Sequence, residues 1–149
     1  MSNAYLYILL ALVAGAMMPT QAATNNKMAT VVGSPILSAF ISFLVGTVAL
    51  FLYLLLSGVS LGNLTSAKEA PAIAWAGGLL GAFFVTAGVT LVPRLGVATT
   101  FSLMIAGQMV VTLFIDHFGL LGVPVKEVGP ARVAGIVLIG VGVVLIRRY

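Results

Sequence analysis

The chain has no cysteine, one histidine and only three acidic residues in 149 positions. Without cysteine there is no disulfide framework, no thiolate metal site and no cysteine nucleophile, and redox chemistry offers no reading of compartment. Seven Lys and Arg residues give a formal net charge of +4, but apart from Arg147 and Arg148 they stand singly. That is too sparse for a nucleic-acid patch and fits flanks lying near anionic lipid headgroups. Charged residues make up 7% of the chain against 61% hydrophobic ones. A soluble domain needs more charge to cover its surface, so the composition is that of an integral membrane protein. Phosphate-binding lysine loops, zinc-ligand spacings and dinucleotide fingerprints are missing too, which predicts neither an enzyme nor a bound metal or cofactor.

What is present is a series of apolar runs. A helix rises ~1.5 Å per residue, so about 20 apolar residues cross a ~30 Å hydrocarbon layer. By that measure one transmembrane domain spans residues 1–149, an all-α bundle of five helices at about 5–24, 35–56, 71–91, 96–115 and 130–146. The first helix is expected to continue towards Val32, and Pro35 suits the first turn of the second. Tyr5, Tyr7, Tyr53, Trp75 and Tyr149 fall near span ends, as interfacial aromatics do. The run Val92–Gly96, "VPRLG", reads as a tight turn, and only residues 57–70 and 116–129 leave longer connections. Thr20-Gln21-Ala22 before Ala23 resembles a signal-cleavage site. However, no basic residue precedes Lys27, so a retained first span is expected.

With five spans, Lys68, Lys126 and Arg132 lie on one side and Lys27, Arg94, Arg147 and Arg148 on the other. Three against four is almost no positive-inside bias. Two topologies stay open: insertion in both directions, giving an antiparallel pair, or one orientation fixed by Arg147 and Arg148.

Small residues recur inside the spans. Gly77 and Gly81, Ala131 and Gly135, and the series Ser34, Ser38, Ser42 and Gly46 stand four apart, a spacing that lets helices approach closely in lipid. Polar residues are more telling. Gln21 and Asn25 share a face just beyond Pro19, which removes a backbone hydrogen bond and favours a kink. Gln108, Thr112 and Asp116 are spaced the same way, with Gln108 only ~4 Å from the middle of its span at ~1.5 Å per residue. Such side chains need a partner or a wet cavity. Asp116 and His117, at the end of the fourth span, suit a gate or proton relay as well as a headgroup-level charge pair. No Asp or Glu lies deep in a span. "GVSLG" (Gly58–Gly62) matches a hydrolase elbow but follows a membrane helix rather than a strand. "NLT" (Asn63–Thr65) is a glycosylation triplet that matters only in a secretory setting.

Read together, "GAMMPTQAATNNKMATVVGSP", "SFLVGT", "VPRLG", "GQMVVTLFIDHFGLLG" and "RVAGIVLIGVGVVLIR" resemble the YdcZ-like family of small bacterial inner-membrane proteins. That family sits in the drug/metabolite transporter superfamily. The resemblance covers nearly the whole chain, most specifically at Pro19, Gln21, Asn25, Gly107, Gln108 and Asp116–Gly119. It implies a five-helix unit, half the size of ten-helix transporters built as inverted repeats. The small multidrug relatives carry a glutamate in the first span, where this chain has Pro19, Gln21 and Asn25. An odd number of spans means that a single copy completes itself only with an inverted partner. The expected protein is therefore a multi-pass inner-membrane exporter of a small metabolite or drug-like compound, acting by alternating access as a homodimer. Its expected partners are the bilayer, a second copy and a small-molecule substrate. In this reading Gln21, Asn25, Gln108 and Thr112 line the pathway, Asp116 and His117 gate it or couple it to protons, Pro19 bends the first helix, and Ser38, Ser42, Gly46, Gly77, Gly81 and Gly135 pack helices. The alternative is a non-transporting subunit that assembles with another membrane protein.

Overall fold

Caps written into the sequence decide where each helix starts and stops. The computed structural model describes residues 2–149, with side chains from Ala4 onward. Helix α1 (Ser2–Val32) is separated from α2 (Pro35–Ser57) by Gly33 and Ser34 alone. Ser34 is extended and its hydroxyl accepts from the Leu37 N–H at 3.3 Å, with Pro35 in the first turn. This arrangement satisfies an otherwise unpaired donor at the helix start. A 3-10 helix (Leu61–Glu69) fills the next connection, and α3 (Ala72–Leu95), α4 (Val97–Phe118) and α5 (Pro130–Arg148) follow.

Five helices are long and apolar enough to cross a membrane, and the described residues contain no strand. The fold is all-helical, as the composition implied. Large apolar side chains face outward: Val31, Leu79 and Phe83 are each more than three-quarters exposed. Lipid, unlike water, imposes no cost on that surface.

The third span differs from expectation. Val92–Gly96 is not a turn, because α3 runs through Pro93 to Leu95 and breaks only at Gly96, whose φ is +81°. Proline so near a helix end removes a single bond, to the Val89 carbonyl, and leaves the last two bonds intact. Glycine then supplies the positive-φ, extended backbone (ψ 160°) that ends the helix. The fourth span also runs three residues further than expected, so Asp116 and His117 form its last turn.

The chain divides into two compact units, Met1–Pro93 and Arg94–Tyr149. In the first, α1 and α2 form a tight antiparallel hairpin. Ala22, Asn25 and Ala29 on α1 and Ser38 and Ala39 on α2 are buried, and the Ser38 hydroxyl donates to the Asn25 backbone carbonyl at 2.6 Å. Helix α3 approaches α2 at Gly81, where an added Cβ would meet the Phe43 ring at 3.5 Å. Gly77, one turn earlier, has open space around it.

In the second unit α4 and α5 pack as a hairpin closed by residues 119–129. Gly119 begins the connection at φ +59°, and an added Cβ there would lie 2.7 Å from Val125 Cγ2. Only glycine fits both the backbone conformation and the contact. Leu121 also adopts a left-handed conformation, at φ +59°.

Candidate functional site

Each unit carries one polar seam along its hairpin. In the first, the Ser38–Asn25 contact sets the register: in an antiparallel pair, one turn back along α1 matches one turn forward along α2. Gln21 therefore stands opposite Ser42. A cleft of about 200 Å³ lies here, lined by Gln21, Ser42, Phe43, Gly46, Thr47 and Leu50. The series Ser34, Ser38, Ser42 and Gly46 thus divides by role. Ser34 caps, Ser38 bonds across the hairpin, and Ser42 and Gly46 open a recess beside Gln21.

Asn25 is 8% exposed and its side-chain Nδ2 has no hydrogen-bond partner. Its backbone carbonyl, not its amide, takes the Ser38 bond. A buried amide donor left unpaired is costly, and the cost is greater where water is scarce. Gln21 is exposed and borders a second, shallower recess of about 360 Å³ with Met17, Met18, Thr20 and Thr24. Pro19 lies inside α1, which is continuous through it. The hydroxyls of Thr20 and Thr24 fold back onto the carbonyls of Ala16 and Gln21 at 2.9 Å, so of the polar groups in this stretch the two amides are the ones left for other contacts.

In the second unit Gln108 is half-buried, and Thr112, one turn on, is exposed with its hydroxyl bonded to the Met109 carbonyl at 2.9 Å. Asp116 Oδ2 lies 3.2 Å from Arg132 Nη1 in the first turn of α5. The same Nη1 donates to the Lys126 carbonyl at 3.3 Å, and the Lys126 N–H donates to the Asp116 carbonyl at 2.8 Å. His117 Nδ1 accepts from the Val128 N–H at 3.4 Å, and its ring meets Phe118 edge-on at 4.7 Å. Asp116 and His117 therefore hold the 119–129 connection against the end of α4. Gly135, which has open space around it, borders a cleft of about 350 Å³ with Thr112, Asp116 and Arg132.

Sequence reasoning missed Arg132, which it read only as a charge flanking a span. Its signal was positional: residues 116 and 132 bracket one connection between antiparallel neighbours. Ser60 of the hydrolase-like pattern caps the 3-10 helix, accepting from the Gly62 N–H at 3.3 Å, so its hydroxyl serves the backbone. No group of three or more His, Asp or Glu residues is placed to hold a metal among the described residues.

Comparison with known proteins gives these helices a family. A family profile described as "Putative inner membrane exporter, YdcZ" matches residues 6–145. The inner membrane protein YdcZ of Escherichia coli (strain K12) is 39% identical over 72 residues, covering 48% of this chain and 47% of that relative. The match thus spans about half the length of the relative. No solved structure matches. With the profile covering all five helices, the chain belongs to the YdcZ family of drug/metabolite transporters and is a multi-pass protein of the inner membrane.

Proposed function

We propose that the protein is a secondary transporter that exports a small metabolite or drug-like compound by alternating access, as a homodimer of antiparallel copies. The observation that carries this reading is the polar seam of the α1–α2 hairpin. Asn25 is more than nine-tenths buried with its amide nitrogen unpaired, one turn from Gln21 in its cleft. An apolar residue at either place would avoid that cost, so a span that keeps both amides points to a ligand that pairs with them. The family's description supports export as the direction.

On this reading Gln21 and Asn25 take hydrogen bonds from and give them to the substrate, and Gln108 and Thr112 form a polar seam of their own within the second unit. Pro19 lets α1 bend. Asp116 and His117 act as a gate by holding or releasing the 119–129 connection. No carboxylate lies within a span away from its ends, which suits neutral or zwitterionic compounds better than cations. An odd number of spans and nearly balanced flanking charge favour an inverted second copy.

Two measurements test the proposal. Intracellular small-molecule pools are compared by mass spectrometry in cells expressing the wild type, Gln21→Ala or no protein, and any compound that differs is carried into liposome flux assays. Gln21→Ala should retain the compound as cells without the protein do. Unchanged flux in both Gln21→Ala and Gln108→Leu would reduce the seams to helix packing. A fixed co-purifying partner without flux would favour the non-transporting subunit. For topology, single cysteines at Ser66 and after Tyr149 are labelled from outside intact cells. Labelling of both supports dual insertion, and labelling of only one removes the antiparallel homodimer.

A further inference from the structure

We propose that the cleft between α4 and α5 binds a zwitterionic amphiphile, with the Asp116–Arg132 pair holding its charged head and the cleft wall its apolar body. The proposal does not depend on transport. It rests on the shape of the cleft and on an ion pair that is only half used.

The cleft measures about 350 Å³, within the range of small-molecule sites. Its polarity is graded along the helices. Asp116 and Arg132 stand at one end, Thr112 and Gly135 about one turn in, and Met109 and Ile139 about two turns in. From Asp116 to Met109 the depth is about 10 Å at ~1.5 Å per residue. Leu113 and Ile136 complete an apolar wall below a charged mouth.

The ion pair is not closed on itself. Arg132 Nη1 serves both Asp116 Oδ2 and the Lys126 carbonyl, while Arg132 Nε and Nη2 and Asp116 Oδ1 have no partner among the described residues. The two side chains are 40% and 34% exposed, so their free donors and acceptor are open to a ligand. Neither residue is placed to stabilise its own helix. Asp116 sits in the last turn of α4 and Arg132 in the first turn of α5, each at the end whose dipole disfavours its charge. The pairing offsets that, and a ligand that adds an opposite charge to each member offsets it further. A purely cationic or purely anionic head would engage one member and compete with the other. A zwitterion places its cation on Asp116 Oδ1 and its anion on the free face of the Arg132 guanidinium. Both residues lie at the ends of membrane-crossing helices, at the depth where the head of an amphiphile sits. Such a molecule reaches the cleft either as a bilayer lipid or as a dissolved amphiphilic compound.

The test is native mass spectrometry of the full chain released from dodecyl maltoside, titrated with dodecylphosphocholine, dodecyltrimethylammonium or laurate. A single saturable adduct is expected with dodecylphosphocholine, at least about tenfold tighter than with either singly charged amphiphile. Arg132→Gln and Asp116→Asn should each weaken it about tenfold. Because those changes also loosen the hairpin, Gly135→Leu provides an independent arm. It places a side chain in the cleft at a position where an added Cβ meets nothing within 4 Å, changes neither charged residue, and should abolish the adduct while circular dichroism stays native. Displacement by dioleoyl phosphatidylethanolamine identifies a lipid as the occupant, and retention of the adduct against it identifies a dissolved amphiphile. Equal binding of dodecyltrimethylammonium or laurate, or an adduct that survives Gly135→Leu, overturns the proposal.

Discussion

Ser38 and Asn25 touch each other, yet their replacement by alanine should have opposite consequences. The Ser38 side chain is fully buried and donates to the Asn25 backbone carbonyl at 2.6 Å. Ser38→Ala removes that bond, and the carbonyl keeps its helical partner, so no group is orphaned. Interhelical hydrogen bonds in membranes average about 0.6 kcal/mol with a maximum near 1.7, which predicts a loss of about 1 kcal/mol. Asn25→Ala leaves the same bond intact, because the Asn25 side chain takes no part in it. It removes about 1–2 kcal/mol of packing together with about 1–3 kcal/mol of penalty for the unpaired buried donor. The net should lie near zero or be stabilising. Equilibrium unfolding in mixed micelles, titrated with sodium dodecyl sulfate and followed by circular dichroism, measures both variants. Liposome flux should fall in Asn25→Ala despite its retained stability. If Asn25→Ala instead costs clearly more than Ser38→Ala, the amide is paired in the folded protein and its place in a substrate pathway loses its physical basis.

Four further outcomes follow from three glycines and from Leu121. Gly81→Ala puts its Cβ 3.5 Å from the Phe43 ring, an ordinary contact, and should gain about 0.5–1 kcal/mol of helix stability, whereas Gly81→Leu collides with the ring; a Gly81→Leu protein as stable as wild type in the same unfolding assay would refute the α2–α3 contact. Gly77→Leu, with open space around it, should leave the stability of a single copy unchanged, so a shift from dimer to monomer in cross-linking would locate Gly77 at an interface between copies. Gly119→Ala meets both a left-handed backbone and Val125 Cγ2 at 2.7 Å and should cost at least about 1–2 kcal/mol, of which Val125→Ala in the same chain recovers only the steric share. Leu121→Gly relieves the left-handed leucine and should stabilise by about 0.5–1 kcal/mol; a loss in thermal unfolding would count against that backbone conformation.

The sequence by itself determined the five helices, their approximate ends and the membrane they belong to. Each follows from local quantities: run length against bilayer thickness, with Pro35 and Pro130 at helix starts. Even there, Pro93 misled. A proline in the last turn removes one bond without ending the helix, and only the backbone at Gly96 decides the break. Four-residue spacing puts Gln21 one turn from Asn25 on α1 and Ser38, Ser42 and Gly46 on successive turns of α2, while Ser34, grouped with them by the same spacing, lies outside the helix as its cap.

What those faces do was decided by tertiary structure alone. Identical spacing permits packing, bonding or a recess, and the difference lies in what stands opposite. Ser38 meets a carbonyl, Ser42 meets Gln21 across a cleft, Gly81 meets Phe43, and Gly77 meets nothing within 4 Å. The partner of Asp116 was hidden for the same reason. Arg132 is sixteen positions away along the chain, and only the hairpin that folds α5 back along α4 brings its guanidinium to 3.2 Å. Periodicity fixes which residues of a helix share a face, while contact requires the register between two helices, which no single helix encodes.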